Sequence, residues 1–564
     1  MCVRLSAPVQ EADLRRAFDA QGVEVIQFEE RSYPQEIHHI AYVRNTDLRR
    51  ALEIASELDL PEHDGISEFL IIRAAPEGMV AAFLGSSQQG PVRGVHDERC
   101  SALISLVSAR SRVSNAQPSL SYVPDARANL AAVTAARHQL IFGRRGAGKT
   151  ALLVEARQRL EDRGSLTSWA NIQTYRRESP QRVVLYVLSE MLDAVLASRA
   201  VDGKSNVATA VAALSTRVQA LLDAEKTTEA QVHGLIPRAQ QALRNYLSAA
   251  GRPLYVFLDD LYYLPRADQP EVLDSLHGMT RDADVWLKIA SIRHLTRWWQ
   301  ASPPVGLQSG QDAELIELDI TLQEPAQAKG FLEGVLLAFA QSVGIPSLSR
   351  IFRAEALDRL VIASGAVPRD YLVLASSAIA RAQRRPNARL VGVQEINQAA
   401  GDAAQSKLQE LEEDMASNAG IAETTVSALK AVRMFCLEQE AYTYFLVGFR
   451  DRENRPADYT LLTDLMDVRL IHLVDSGVSD AHQAGHRSEA FMLDLSQYSG
   501  ARLKQKVRVL DFADGHFISR ETRSAKPARQ ARTAREFVAM LRVAPTLELG
   551  WLESKVGSAS NSST

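Results

Sequence analysis

Leu140-Ile141-Phe142-Gly143-Arg144-Arg145-Gly146-Ala147-Gly148-Lys149-Thr150 is the stretch that decides the fold. It fits the spacing G-x-x-x-x-G-K-[ST], with an apolar strand-like run before it and the helix-like Ala151-Leu152-Leu153-Val154-Glu155-Ala156 after it. Gly143, Gly146 and Gly148, with the small Ala147 between them, let the backbone curl. Its N–H groups and the following helix N-terminus then face the β- and γ-phosphates of a nucleotide. Lys149 reaches the phosphate oxygens as a slim point charge, and the Thr150 hydroxyl is placed to ligate Mg²⁺. Only 11 of the 64 basic residues are lysine, and Lys149 is the first of them. A chain that otherwise prefers arginine keeps lysine where a broad guanidinium fork would not fit. The expected ligands are ATP and Mg²⁺.

The second half of such a site is Pro253-Leu254-Tyr255-Val256-Phe257-Leu258-Asp259-Asp260, an apolar run ending in two acids. A buried strand delivers Asp259 at its carboxyl end, where it can hold magnesium through water. Asp260 then points into the site and can orient an attacking water. Nucleotide binding follows more directly from these residues than turnover does: the expected activity is an ATPase, with slow hydrolysis or a nucleotide switch as alternatives because Asp260 reaches about one methylene less than a glutamate.

Around these two motifs the chain alternates. A strand at about 165–172 and helices at about 181–198, 207–223 and 229–250 lead to the acidic strand. Helix 269–281 follows, then strand Val285-Trp286-Leu287-Lys288-Ile289-Ala290-Ser291 and another at 313–320. That order predicts a parallel sheet with helices on both faces. Its 564 residues allow three or four domains. Apolar residues at 46% and charged residues at 23% place the chain among ordinary globular proteins. The longest apolar run, around Gly334–Ala340, is far short of a membrane span, and the N-terminus does not read as a secretory signal. The expectation is a cytoplasmic protein with no membrane contact. Cys2, Cys100 and Cys436 are too scattered for a disulfide framework or a zinc site. The arginine bias is what a GC-rich bacterial genome produces. A net charge of -4 gives no global attraction to nucleic acid, so any such contact needs a local patch.

Taken together, residues 120–515 resemble the AAA+ ATPases of the origin-recognition/initiator type and the related STAND signalling NTPases. The resemblance implies an α/β fold: a P-loop NTPase parallel sheet with a helical lid, followed by a winged-helix domain and preceded by a small α/β domain. The expected boundaries are 1–112 for the N-terminal domain, 120–322 for the core and 323–417 for the lid. The winged helix is expected at 420–515, and a basic extension with a disordered tail at 516–564. The resemblance also implies a γ-phosphate sensor at Ser291 or Arg293, where the strand after the acidic strand ends. A second sensor is implied at Arg369, within Gly365-x-x-Pro368-Arg369 of the lid. By position, Arg281 resembles the arginine finger offered to a neighbouring subunit of a homo-oligomer; an ordinary helix C-terminal cation is the alternative. Where many relatives carry aspartate-glutamate, this chain has two aspartates, which keeps both families open.

The C-terminal module reads as helix 422–433, strand 442–447, helix 459–468 and a hairpin of 470–474 with 490–495, separated by a polar segment, 476–487. In initiator-type proteins this module binds duplex DNA; in STAND proteins it packs on the nucleotide domain. The would-be recognition helix, Thr460–Arg469, carries two acids and one base, a poor surface for phosphates. Residues 502–542 carry eleven basic and four acidic residues, a net +7. Arg529, Arg532 and Arg535 recur every third residue, which predicts one basic helix face able to hold DNA phosphates. The bland reading is a solvated face. His472, inside an apolar strand, reads as a core histidine. Residues 1–110 show no phosphate loop or metal-ligand cluster and are expected to bind a protein partner. Two functions follow: an ATP-driven, DNA-associated protein of initiator type, or a STAND-like switch of the kind found in bacterial defence.

Overall fold

The run Gln139–Phe142 is buried at every position, as are Leu254–Asp259 and nearly all of Val285–Ser291. Such runs satisfy their backbone only as inner strands of a sheet covered on both faces. In the computed structural model they form a five-stranded sheet in the order Glu314–Glu317, Gln139–Phe142, Val285–Ser291, Leu254–Asp259, Leu166–Asn171, with every neighbouring pair parallel. Leu140, Phe142, Leu258 and Leu287 pack on one side with the helices Pro180–Ala197 and Gln269–Thr280. Ile141, Phe257 and Ala290 pack on the other with Lys149–Asp162. Parallel order puts Gly143, just past the end of its strand, and Asp259, the last residue of its own, at the same carboxyl edge of the sheet.

The structure describes residues 3–4, 11–33, 36–45, 47–60, 62–63, 66–76, 92–111, 122–124, 127–414, 419–480, 485–499, 506–513, 515–522 and 528–560. One helix expected over 229–250 is two, Glu229–His233 and Ile236–Ala250. Pro237 cannot donate a backbone N–H to continue the first, and it sits in the opening turn of the second.

The lid is helical, with Pro325–Ser342, Ala354–Ser364, Pro368–Gln383 and Val393–Asp414. It has a fifth helix from far upstream. Glu98–Arg110 buries Cys100, Leu103, Leu106 and Val107 in the lid's core, and Val95 N donates to Arg389 O at 2.9 Å. Residues 92–110 therefore belong with the lid, not with the domain expected to end at 112. That N-terminal domain is a four-stranded sheet ordered Val25–Tyr33, Glu36–Val43, Ile66–Ala74, Glu62–His63, with helices Glu11–Asp19 and Leu48–Glu57.

After the lid, helix Ala419–Arg433 leads to strand Tyr444–Gly448, helices Phe449–Asn454 and Pro456–Asp467, then strands Ile471–Ser479 and Arg487–Leu493. The strands pair antiparallel, with Arg487–Leu493 in the middle. The boundary expected at 515 falls inside a hairpin, because Arg508–Ala513 pairs with His516–Glu521 across that turn. Part of the expected disordered tail is helical, and residues 561–564 lie outside the described residues. Leu549–Ser560 is a helix with Leu552 and Val556 buried against Ala419–Arg433, and Leu547 N donates to Leu446 O at 2.8 Å. Leu549, Leu552 and Val556 form an i, i+3, i+7 stripe that the Ser/Gly-rich composition of the last residues masked.

Candidate nucleotide site

Gly146 and Gly148 both take left-handed backbone, at φ +81° and +98°, and Gly148 caps the helix that begins at Lys149. Gly146 has a second reason to be glycine. A Cβ there would lie 2.9 Å from Arg369 Cβ, so the lid rests directly on the loop. Arg369 N also donates to Gly146 O at 3.3 Å. Lys149 is buried, and its Nζ donates to Gly143 O at 2.7 Å and Arg144 O at 3.2 Å. Burial lowers its pKa, while Asp260, Asp319, Asp259 and Asp467 pull it back up. An ammonium held only by loop carbonyls is poised to exchange them for phosphate oxygens.

Thr150 Oγ1 donates to Asp259 Oδ2 at 2.8 Å, which joins the two motifs across the sheet edge. Asp259 is 2% exposed, and its Oδ1 has no hydrogen-bond partner. Burial and the neighbouring Asp260 push its pKa up to about 7. A buried carboxylate with an orphaned oxygen beside a threonine hydroxyl fits Mg²⁺. No cluster of three His, Cys, Asp or Glu side chains able to hold a metal occurs among the described residues. Asp260 stands at φ +62°, a strained position for a residue with a Cβ. Burial raises its pKa, against the pull of Lys149, Arg145 and Arg369.

Both expected sensors reach the loop through their backbones, Arg369 N at Gly146 O and Ser291 O at Gly143 N, but the Ser291 hydroxyl is turned away from it. Ser291 Oγ is fully buried and lies 2.5 Å from Thr296 Oγ1. Arg293 pairs with Glu317 and lies over Phe142 and Trp298. Arg281 precedes strand Val285–Ser291, at the far edge of the sheet from Gly143, and is exposed with Asp312 at 3.8 Å. His472 is a buried core histidine, its Nε2 donating to Asp494 Oδ2 at 2.7 Å.

Several residues at the site gave no motif signal. Arg144 N and Nε meet Asp319 Oδ1 at 2.8 and 3.4 Å, and its Nη2 donates to Ile320 O at 3.0 Å and Gly365 O at 3.4 Å. One loop arginine thus ties the core to the lid turn. From the C-terminal module, helix Pro456–Asp467 reaches over the same edge. Asp467 pairs with His294 of the core, and Asp464 lies 3.8 Å from the same ring. Two residues on, Arg469 Nη1 donates to Asp370 Oδ1 of the lid at 2.7 Å. The only hint of this in the sequence is the acidity of a helix that a DNA-reading role would want basic.

The basic stripe is dispersed. Arg529 lies on a strand, Arg532 in a loop and Arg535 in helix Ala534–Leu541, so no single helix face carries them. Arg508 pairs with Glu521, Arg520 with Asp511, and Arg542 donates to Ser479. Arg502, Lys504, Arg523 and Lys526 lie outside the described residues.

Residues 127–287 match the AAA ATPase domain family. No curated protein matches the chain. Among solved structures it is similar to the Orc1 protein of Aeropyrum pernix in complex with DNA, at 15% identity over 67% of this chain and 91% of that one, TM-score 0.33. Cdc6p from Pyrobaculum aerophilum gives 13% identity over 69% and 96%, TM-score 0.30. NtrX from Brucella abortus gives 14% over 68% and 76%, TM-score 0.28.

Proposed function

We propose, from the match of residues 127–287 to the AAA ATPase domain family, that the chain is a slow Mg²⁺-dependent ATPase whose nucleotide state sets the position of its C-terminal winged-helix module. The carrying observation is the double hold of one turn, Asp467 on His294 of the core and Arg469 on Asp370 of the lid. Any nucleotide that moves lid against core must strain or break one of these pairs.

In this reading Lys149 and the N–H groups of 146–150 bind the β- and γ-phosphates. Thr150 and Asp259 hold Mg²⁺, which supplies charge neutralisation at the phosphates when bound. Asp260 accepts the proton of the attacking water, a task suited to a carboxyl whose pKa burial has raised. Arg369 covers the phosphates from the lid. Arg281 is left for a neighbouring copy. Helix Pro456–Asp467 faces inward, with Leu462 and Leu465 buried and Asp464 and Asp467 half-buried. It is therefore not presented to a DNA groove in this arrangement, and the STAND-like reading, output through a protein partner, is the better supported.

A DNA-associated reading of initiator type keeps one observation of its own. Lys506, Arg529, Arg532 and Arg535 are exposed. ATP hydrolysis by the full chain, with and without duplex DNA at two salt concentrations, separates the two. Turnover lost in Lys149→Ala and indifferent to DNA supports the switch. Turnover stimulated by DNA, with the stimulation fading as salt rises, supports the initiator-type function.

A further inference from the structure

We propose that His294 reads the γ-phosphate, and that Asp467 competes with that phosphate for the same imidazole, so that triphosphate but not diphosphate unfastens helix Pro456–Asp467 from the core. The proposal rests on the switch reading above and adds the residue that tells the two nucleotides apart.

The geometry begins at the end of strand Val285–Ser291. Gly143 N donates to Ser291 O at 3.4 Å, so this strand end is fastened to the start of the phosphate loop. His294 follows three residues later. Its Nε2 meets Asp467 and lies 3.8 Å from Asp464 Oδ1, and the three side chains are 23%, 14% and 13% exposed. The residues expected to sense the γ-phosphate from this strand are committed elsewhere, Ser291 to Thr296 and Arg293 to Glu317. His294 is left as the polar group at that strand end that meets the C-terminal module.

Charge then decides the exchange. Lys149 and Arg145 act electrostatically on Asp467, so its carboxyl stands in the field of the groups that hold phosphate. Burial pushes Asp467 up to about 8, and burial beside Arg266 and Arg145 pushes His294 down to about 4. The pair therefore holds one proton and no net charge at neutral pH. A γ-phosphate brings negative charge against a carboxyl that can only repel it and an imidazole that can bind it once protonated. The proton passes from the Asp467 carboxyl to His294, and Asp467 leaves as a carboxylate to water. A diphosphate ends one phosphoryl group short and leaves the pair intact. Arg469 is not displaced by this exchange. It is carried away with the turn it shares with Asp467.

The test measures binding of ADP and a non-hydrolysable ATP analogue, each with Mg²⁺, to the full chain by calorimetry. The variants are Asp467→Ala and His294→Ala, which break the same contact. A pair with only a structural role moves both variants in one direction. Competition moves them apart. Asp467→Ala is expected to bind the analogue at least about fivefold tighter than wild type, because a closed fraction no longer divides its affinity, with ADP within about twofold. His294→Ala gains the same release but loses the phosphate ligand, so its analogue-to-ADP affinity ratio is expected to fall below wild type. Asp467→Leu keeps the side-chain bulk without a group that can bond the imidazole and is expected to move the same way as Asp467→Ala, which covers a variant that fails to fold. Equal shifts in both variants, or an unchanged ratio, overturn the proposal and leave the switch reading standing. Absence of Lys149-dependent binding of either nucleotide overturns both.

Discussion

Arg469 Nη1 lies 2.7 Å from Asp370 Oδ1, and both side chains are buried. Asp370 immediately follows Arg369, whose backbone sits on the phosphate loop. Arg469 itself stands at φ +60°, in the left-handed region that ends the clamping helix. One turn of the C-terminal module thus touches the lid beside the residue that covers the nucleotide. The pair joins a larger buried set, since Lys407 Nζ lies 3.5 Å from Asp370 and 3.0 Å from Asp494, which also holds His472.

Arg469→Ala leaves Asp370 buried with Lys407 as its remaining ion-pair partner. Removing one side of a buried pair costs about 3 kcal/mol, because the other charge stays out of water. Urea unfolding of the variant should show a loss of that order. A change within about 0.5 kcal/mol, as at an ordinary surface site, would contradict the clamp.

Gly365→Ala attacks the same junction from the lid. Gly365 is left-handed at φ +56°, and a Cβ there would lie 2.0 Å from the His472 ring. The ring cannot swing aside without leaving Asp494. The expected outcome is a lid and C-terminal module driven apart, read as faster proteolysis in the 456–470 turn and a lower melting temperature. Wild-type proteolysis rates would mean that this contact does not hold the module.

The raised pKa of Asp259 makes magnesium binding depend on pH. The carboxyl is neutral below about 7 and charged above it, and Mg²⁺ needs the charged form. Affinity for Mg²⁺-nucleotide should therefore rise from pH 6 to pH 8 and level off above that. Titration of nucleotide protons adds its own slope, so the comparison is with Asp259→Asn, whose profile should be flatter. Identical profiles would remove Asp259 from the metal site.

Lys288 shows where stability depends on a buried charge far from the chemistry. It is fully buried, and Nζ donates to Ala135 O at 2.6 Å, Arg137 O at 2.8 Å and Gln139 Oε1 at 2.7 Å. Burial pushes its pKa down to about 7, but three acceptors for three N–H bonds favour the ammonium. The unfolded chain binds the proton more tightly, so this group's contribution to stability rises with pH from about 7 towards 10.5. Lys288→Met removes that pH dependence and leaves three acceptors unpaired, for a loss of about 3 kcal/mol near neutral pH. Denaturation at pH 7 and pH 9 checks both signs.

The parts legible in the sequence were those whose chemistry is local. The loop 143–150, the acidic strand end at Asp259 and the alternation of strands each follow from contiguous residues. Ser291 occupies the position expected of a sensor, but Thr296, five residues away, takes its hydroxyl. His294, Asp467 and Arg469 became a unit only through folding, since no periodicity links a core loop to a turn more than 170 residues later. Helix Glu98–Arg110 lies within the span expected of the N-terminal domain, yet it packs in the lid's core for the same reason. Its apolar face states that it must be covered, not by what.

In a nucleotide-driven switch, the triphosphate must move the clamping turn. Hydrogen exchange of residues 456–470 in the full chain, with Mg²⁺ and a non-hydrolysable ATP analogue, measures that directly. Exchange there should be faster with the analogue than without it, with no response in Lys149→Ala. Exchange in this turn that ignores the analogue in the wild type, or responds equally in Lys149→Ala, would contradict the switch.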